Sequence, residues 1–345
     1  MKSFMFGSIE ELLSHASKNK DSAFVVFAGV EIIRKLSTQV GENVILCSTS
    51  GEFTSEGYKD SSITGFMYNP ADVDVDVVEI LYPPAKGIQE LKKAYGKVKN
   101  NPNAFALLLC DGLSAMEEGI ITTFYFTNPS FKIIGGSAGD NLKFTKTLIY
   151  IGKREVYSVV LFFNSKTKTQ LIKENLYEPC GERMLVTDAD PIKRIVKTFN
   201  NQPASTEYAR LLGVNEKDLE KSFLSNPLGR TSESGIYITS PMKINSDKSI
   251  TFYSQIIPNS FVNILQLATH EKVIKNTLDA VKIKPSFVLS INCILRSLHF
   301  KNTNSWKDVD KELLTICKNH TGFVSYGEQF YKNHFNQTMV LLLVE

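Results

Sequence analysis

Thr49-Ser50-Gly51-Glu52, Ser137-Ala138-Gly139-Asp140 and Ser325-Tyr326-Gly327-Glu328 share one pattern: a hydroxyl residue, a variable residue, glycine and an acid. Each follows an apolar, strand-like run (43–48, 131–136 and 321–324) and leads to a second such run carrying Ser or Thr (61–68, 144–150 and 336–344). Each copy also begins with an apolar strand (23–28, 104–110 and 286–292) and a helix-like stretch. The unit is therefore strand, helix, strand, Gly-acid turn, strand. Recurrence of one supersecondary unit predicts three equivalent places in one architecture, and hence three acids on loops that face one pocket, which is expected between the two halves. The expected fold class is α/β in the mixed α+β sense. Repeated strand-helix-strand-strand units form mixed β-sheets covered by helices, in two interlocked halves.

The rest of the chain is compatible with that plan. Its 345 residues allow two domains or one large composite with a sizeable core. A hydrophobic fraction of 43% and a charged fraction of 22% exclude disordered, fibrous and collagen-like classes. The formal charge is +3, with Lys and Arg interspersed among Asp and Glu, so nucleic acid is not the expected partner. Apolar runs such as 339–344 and 104–110 fall well short of the roughly 20 residues of a membrane span. The N-terminus passes quickly into Ser8-Ile9-Glu10-Glu11-Leu12-Leu13 without a signal peptide's apolar region, so a cytoplasmic protein is expected. Cys47, Cys110, Cys180, Cys293 and Cys317 are widely spaced, mostly within apolar runs and without CxxC spacing, which predicts buried reduced thiols.

Along the chain, Ile88, Leu91, Ala94, Tyr95 and Val98 give residues 87–100 a helical period. Acid and valine alternate over 72–76, as in a half-exposed strand. Residues 144–151, the Gly152-Lys153 turn and residues 156–163 read as a β-hairpin. Asp190-Pro191 opens an amphipathic helix pattern (Ile192, Ile195, Val196, Phe199), and 204–212 forms another helix closed by Gly213. The charged stretch 215–235 separates two blocks. The division read from sequence is an N-terminal segment 1–21, an N-terminal domain 22–213 and a C-terminal domain 214–345. The latter holds a hairpin over 236–253 turning at 245–248, a helix around 271–281 and the third repeat.

Several residue groups suit a binding site. Glu52, Asp140 and Glu328 are placed to accept hydrogen bonds from a ligand's amino or hydroxyl groups, while their plain role is to cap loop amides. Asn292 and Arg296 share a side of the chain in strand or helix, and Arg296 either clamps a carboxylate or phosphate or pairs with a turn acid, Glu328 being the nearest candidate. His334, just before the final strand, suits a metal or haem-iron ligand or a hydrogen bond to a ligand, against the plainer role of a structurally bonded histidine. The other histidines show no mutual ligand spacing, there is no CxxCH, and Cys180 follows Pro179 instead of preceding a proline, so haem is permitted but not indicated. Gly135-Gly136-Ser137-Ala138-Gly139 looks like a phosphate-cradling loop, but Asp140 beside it opposes an anion. No GxSxG, P-loop or HExxH is present, and no histidine adjoins Cys47 or Cys293, so an enzyme is not expected. The enzymatic alternative is a divalent-metal hydrolase built on Glu52, Asp140 and Glu328.

Together, Cys47-Ser48-Thr49-Ser50-Gly51-Glu52, Gly135-Gly136-Ser137-Ala138-Gly139-Asp140-Asn141, Asn292-Cys293-Ile294-Leu295-Arg296, and Gly322-Phe323-Val324-Ser325-Tyr326-Gly327-Glu328 followed by His334-Phe335-Asn336-Gln337-Thr338 resemble the FIST family, from about residue 22 to the end. The resemblance implies an intracellular sensory domain that binds a small ligand, amino acids among those proposed for the family, and signals to an output. Here the two halves fill nearly the whole chain, so the expected output is a separate partner such as a histidine kinase, a cyclase or a chemotaxis-type protein. A stand-alone subset of the family is linked to haem and nitric-oxide sensing, which makes haem on His334 the cofactor alternative. The candidate ligand-binding set is Ser48, Glu52, Ser137, Asp140, Asn141, Asn292, Arg296, Tyr326, Glu328 and Asn336.

Overall fold

The computed structural model describes residues 1–125, 128, 130–232 and 235–345. They form two compact units. The first comprises Met1–Glu174, Ile274–His334 and Met339–Glu345, and the second Asn175–Val273 with Phe335–Thr338.

The first repeat runs through β1 (Lys2–Phe6), α1 (Ile9–Lys18), β2 (Ala23–Ala28), α2 (Val30–Leu36), β3 (Val44–Ser48), the short hairpin β4 (Glu52–Thr54) and β5 (Gly57–Lys59), and β6 (Ile63–Tyr68). The second has β7 (Asp74–Glu79), α3 (Ile88–Val98), β8 (Phe105–Cys110), α4 (Glu117–Tyr125), β9 (Ile133–Ser137), the hairpin β10 (Ile149–Ile151) and β11 (Arg154–Glu155), and β12 (Ser158–Asn164). β13 (Thr169–Asn175) follows.

In the second unit, β14 (Tyr177–Asp190), β15 (Ile195–Phe199), β16 (Gln202–Pro203), α5 (Ala204–Leu212), β17 (Leu228–Ser232), β18 (Gly235–Thr239), β19 (Pro241–Ile244), β20 (Ile250–Phe252) and β21 (Phe261–Leu267) build one antiparallel sheet with α5 packed on it. Gly213, at φ 70°, closes α5 in the left-handed conformation that glycine adopts without a Cβ penalty. The chain then returns through α6 (His270–Asp279), β22 (Phe287–Cys293), α7 (Ile294–Asn302), α8 (Trp306–Ile316), β23 (His320–Ser325), the hairpin β24 (Glu328–Phe330) and β25 (Asn333–Phe335), and β26 (Thr338–Val344).

Three six-stranded sheets result in the first unit, in the orders β1-β6-β2-β3-β10-β11, β7-β12-β8-β9-β24-β25 and β13-β26-β22-β23-β4-β5. The orders are equivalent position by position. Each has a parallel central pair joined by a helical crossover, as parallel strands require, and an antiparallel strand beside it. Each also ends in a hairpin from a different repeat. The first repeat gives β4-β5 to the third sheet, the third gives β24-β25 to the second, and the second gives β10-β11 to the first. The predicted interlocking is thus literal, since a hairpin from the C-terminal part completes a sheet of the N-terminal part.

Strand alternation explains the layers. Val25 and Phe27, Leu107 and Leu109, and Leu289 and Ile291 turn inward to one shared core. Phe24, Val26 and Ala28 face α1 and α2, while Ala106, Leu108 and Cys110 face α3 and α4.

Two sequence readings are corrected. The 190–199 pattern matches a helical period, yet Ile192 is 86% exposed at a hairpin tip, where Asp190 accepts from the Lys193 amide at 3.0 Å and Arg194 has φ 55°. Val196 and Phe199 are buried by strand pairing with β14 instead. Residues 144–151 do not form one strand: Phe144 lies in a loop, β10 starts at Ile149, and after the Gly152-Lys153 turn its hairpin partner is the short β11. β12 leaves for another sheet to pair with β8. The helix at 88–98, the strand at 74–79, the β19-β20 hairpin and α6 follow the sequence reading.

Candidate functional site

The three turns interlock through their backbones. Ser50 N donates to Val324 O at 3.0 Å, Tyr326 N to Ser137 O at 3.0 Å and Gly139 N to Ser48 O at 2.9 Å. A second ring repeats the relation: Val324 N reaches Gly51 O, Ser137 N reaches Gly327 O and Ser48 N reaches Leu148 O, each at 2.8 Å. Every turn thus holds the next, and each exported hairpin begins at this ring.

The ring also fixes the register. Ser50, Gly139 and Tyr326 make equivalent bonds, so Thr49 corresponds to Ala138 and Ser325, and Ser137 to Ser48 and Val324. The second motif is therefore out of step with the other two by one residue, and its hydroxyl and acid do different work. In the first and third turns the hydroxyl donates to the acid three residues on, Thr49 Oγ1 to Glu52 at 2.6 Å and Ser325 Oγ to Glu328 at 2.7 Å. In the second, Ser137 Oγ donates to Glu117 at 3.1 Å and accepts from Gln329.

Asp140 instead organises the long loop before β10. It accepts from the amides of Phe144, Thr145 and Lys146 at 3.0, 2.7 and 3.1 Å, and from the Tyr326 hydroxyl, which itself accepts from Leu142 N at 2.7 Å. Burial pulls the Asp140 pKa upward, but these donors outweigh it and hold the carboxyl below its ordinary value. Asn141, Leu142 and Phe144 have φ of 56°, 62° and 50°, a conformation that non-glycine residues hold only when their surroundings dictate it.

A cleft of about 270 Å³ opens where the first two turns meet. Thr49, Ser50, Gly51, Glu52, Asp140 and Asn141 line it, with Glu31, Arg34, Asp60, Lys143 and Lys146 at its edges. Ser50 Oγ accepts from Asn141 N at 2.9 Å and ties its two walls together. Glu52 is buried at its base; desolvation overcomes the hydrogen bonds from Thr49 and Ser62 and pushes its pKa up to about 7.

Of the sequence candidates, Glu52, Asp140 and Asn141 line this cleft. Ser48 lies behind it, donating to Gly139 O and accepting from Leu148 N, both at 2.9 Å. Ser137, Glu328 and Tyr326 brace the ring as described. Arg296, on α7, pairs with Glu174 on β13 and not with Glu328, and both it and Asn292 on β22 are buried. Asn336 belongs to the second unit, where its carbonyl accepts from Ser254 at 3.0 Å and Ser240 N at 3.4 Å. The three-carboxylate metal site is overturned, because the acids have separate partners and no group of three or more His, Cys, Asp or Glu able to hold a metal occurs among the described residues. Ser50, Lys143 and Lys146 were missed. Ser50 stood at the variable position of the motif, and the two lysines stand in a loop with no periodicity to mark it.

Family comparison follows the repeats. The FIST N domain model matches residues 22–202, and the FIST C domain model matches 204–331. The chain belongs to the FIST family. FIST domains are sensory domains of signal transduction. An uncharacterized Methanocaldococcus jannaschii protein is 26% identical over 339 residues, an alignment covering 85% of this chain; the chain spans 65% of that relative's length. Among the described residues, no helix of this FIST chain is long and apolar enough to cross a membrane.

The raised Glu52 pKa has a consequence for stability. Between the unfolded carboxyl value near ~4.3 and about 7, the folded state holds a proton that the unfolded state has lost, so stability falls as pH rises through that window and levels off above it. Glu52→Gln is expected to flatten this slope, as read by denaturant unfolding at about pH 5 and about pH 8.

Proposed function

We propose that this chain senses a small zwitterionic metabolite of the amino-acid class in the cleft at the first two turns and signals to a separate protein such as a histidine kinase, a cyclase or a chemotaxis-type output. The observation that carries the reading is the mixed charge of the cleft walls. Glu52 supplies an acceptor for an ammonium and Lys143 a cation for a carboxylate; Asp140 beside them holds the loop amides, and Asp60, Arg34 and Lys146 line the same walls in pairs with Lys301, Glu31 and Glu155 that a ligand would exchange. The volume of about 270 Å³ lies below the ~300–1,000 Å³ of drug-sized pockets, which favours a compact ligand. Transmission has a route in the same residues, since a ligand that displaces Asp140 or Asn141 acts on Tyr326 and Ser50, which belong to the interlocked turns. A ligand shifts such an arrangement only by binding its alternative states unequally.

No observation favours the haem alternative: His334 sits half-buried on β25, with Nδ1 3.2 Å from the Gln329 amide nitrogen, and does not line the cleft.

Thermal-shift titration with single amino acids tests the proposal. A saturable rise in Tm is expected for one of them or a close analogue, weakened by about tenfold or more in Glu52→Gln and Lys143→Ala. Flat responses throughout, or a response unchanged in both variants, contradict it. Adding haemin to the same sample is expected to give no Soret band dependent on His334.

A further inference from the structure

The helix-covered faces of the three equivalent sheets differ in chemistry. The first two are apolar, with Phe24, Val26 and Ala28 on one and Ala106, Leu108 and Cys110 on the other. On the third, Leu289 and Ile291 take the inner side, so β22 turns Ser290 and Asn292 outward, and α7 adds Arg296 and Ser297. All four are at most 1% exposed.

These groups are poorly matched to one another. The Nη2 nitrogen of Arg296 bonds to Glu174, and the Phe300 ring lies 4.8 Å from Cζ. Nε and Nη1 of Arg296, both polar atoms of the Asn292 amide, and the hydroxyls of Ser290 and Ser297 have no hydrogen-bond partner. Buried polar groups are normally satisfied, so a concentration of orphans in one layer calls for a cause. The deficit has a sign. Arg296 offers one N–H at Nε and two at Nη1, and Asn292 two more, against a single amide carbonyl, with the hydroxyls able to serve either way. The nine-residue α7 begins in the same place without a side-chain cap, and its N-terminus carries partial positive charge.

We propose that this layer is a second ligand site, for a small oxyanion held beneath the start of α7 by Arg296, Asn292, Ser290 and Ser297. Glu174 positions the guanidinium and is not itself a contact to the anion. Because the layer is wholly covered, the occupant enters when α7 lifts, and occupancy holds α7 down. The site does not depend on the cleft at the turns.

The experiment titrates the full chain with acetate and, separately, with inorganic phosphate, against chloride at matched ionic strength. It reads Tm and the amide hydrogen exchange of residues 294–302. One of the two anions is expected to raise Tm saturably and slow exchange in α7; acetate acting alone assigns a carboxylate site, phosphate alone a phosphate site. The effect is expected to fall by about tenfold or more in affinity in Asn292→Leu, and in the paired variant Arg296→Met with Glu174→Gln, which removes both charges together. Absence of any saturable effect in the wild type, or an effect that persists in both variants, overturns the proposal. A gain in stability of Asn292→Leu with no anion response in the wild type does so as well, since the layer is then unfilled polar packing.

Discussion

Arg296→Ala is expected to cost about 3–5 kcal/mol, because it strands the buried carboxylate of Glu174 without its cation. Against a typical total of ~5–15 kcal/mol, a loss of this size leaves the chain marginally folded or insoluble. The pair does not owe its importance to net attraction: taking two charges out of water consumes much of what their contact returns. The test is therefore a comparison. Arg296→Met together with Glu174→Gln is expected to recover most of the lost stability in urea unfolding, whereas Arg296→Ala alone is not. A cost below about 1 kcal/mol for the single variant, the range of an exposed pair, would show that Glu174 is not committed to Arg296.

Gly139→Val carries the second large effect. A Cβ at residue 139 would lie 2.3 Å from Ser50 Oγ and 3.2 Å from both Ser50 Cβ and Ser50 N. Glycine is needed there for close approach of two turns; its φ is not in the left-handed range, so the turn's conformation is not the reason. Overpacking of this kind costs about 1–3 kcal/mol, and a branched side chain stands at the upper end. The same clash pushes Ser50 from Asn141, so ligand response is expected to fall with stability. Gly139→Ala combined with Ser50→Ala removes the hydroxyl that the new methyl meets first, and it is expected to unfold at higher urea than Gly139→Ala alone. Equal midpoints for the two would mean that the turns do not touch as described.

Much of this architecture was legible because the repeat carries its own punctuation. β2 is bounded in the sequence as in the structure, and the hydroxyl-x-Gly-acid pattern located all three turns. The exchange of hairpins was not legible. β4, β10 and β24 are three residues long, and nothing local distinguishes pairing within a repeat from pairing with the next. The one-residue offset of the second motif is invisible for the same reason: it is fixed by bonds such as Gly139 N to Ser48 O, across 91 residues of chain. Glu174 as the partner of Arg296 was hidden because β13 reaches the third sheet only by lying beside β26. The 190–199 helix failed because three residues of one strand, Ile195, Val196 and Phe199, and Ile192 at the hairpin tip mimic a period of 3.6.

The site was legible in part. The acids at the first two turns do line one cleft, but the expectation of three equivalent acids assumed that equal motifs do equal work. Glu52 and Glu328 accept from their own turn's hydroxyl, while Asp140 is committed to the loop before β10. That loop could not be read from periodicity, because its shape is set by Asp140 and Tyr326 and not by its own apolar pattern.

Backbone amide chemical-shift mapping with the amino acid that gives the largest Tm rise locates the ligand most directly. Perturbations concentrated at Ser50, Gly51, Glu52, Asn141 and Thr145, and abolished in Glu52→Gln, are the predicted result. Saturable perturbations that leave these residues unmoved and cluster elsewhere in the chain would contradict the assignment of the cleft.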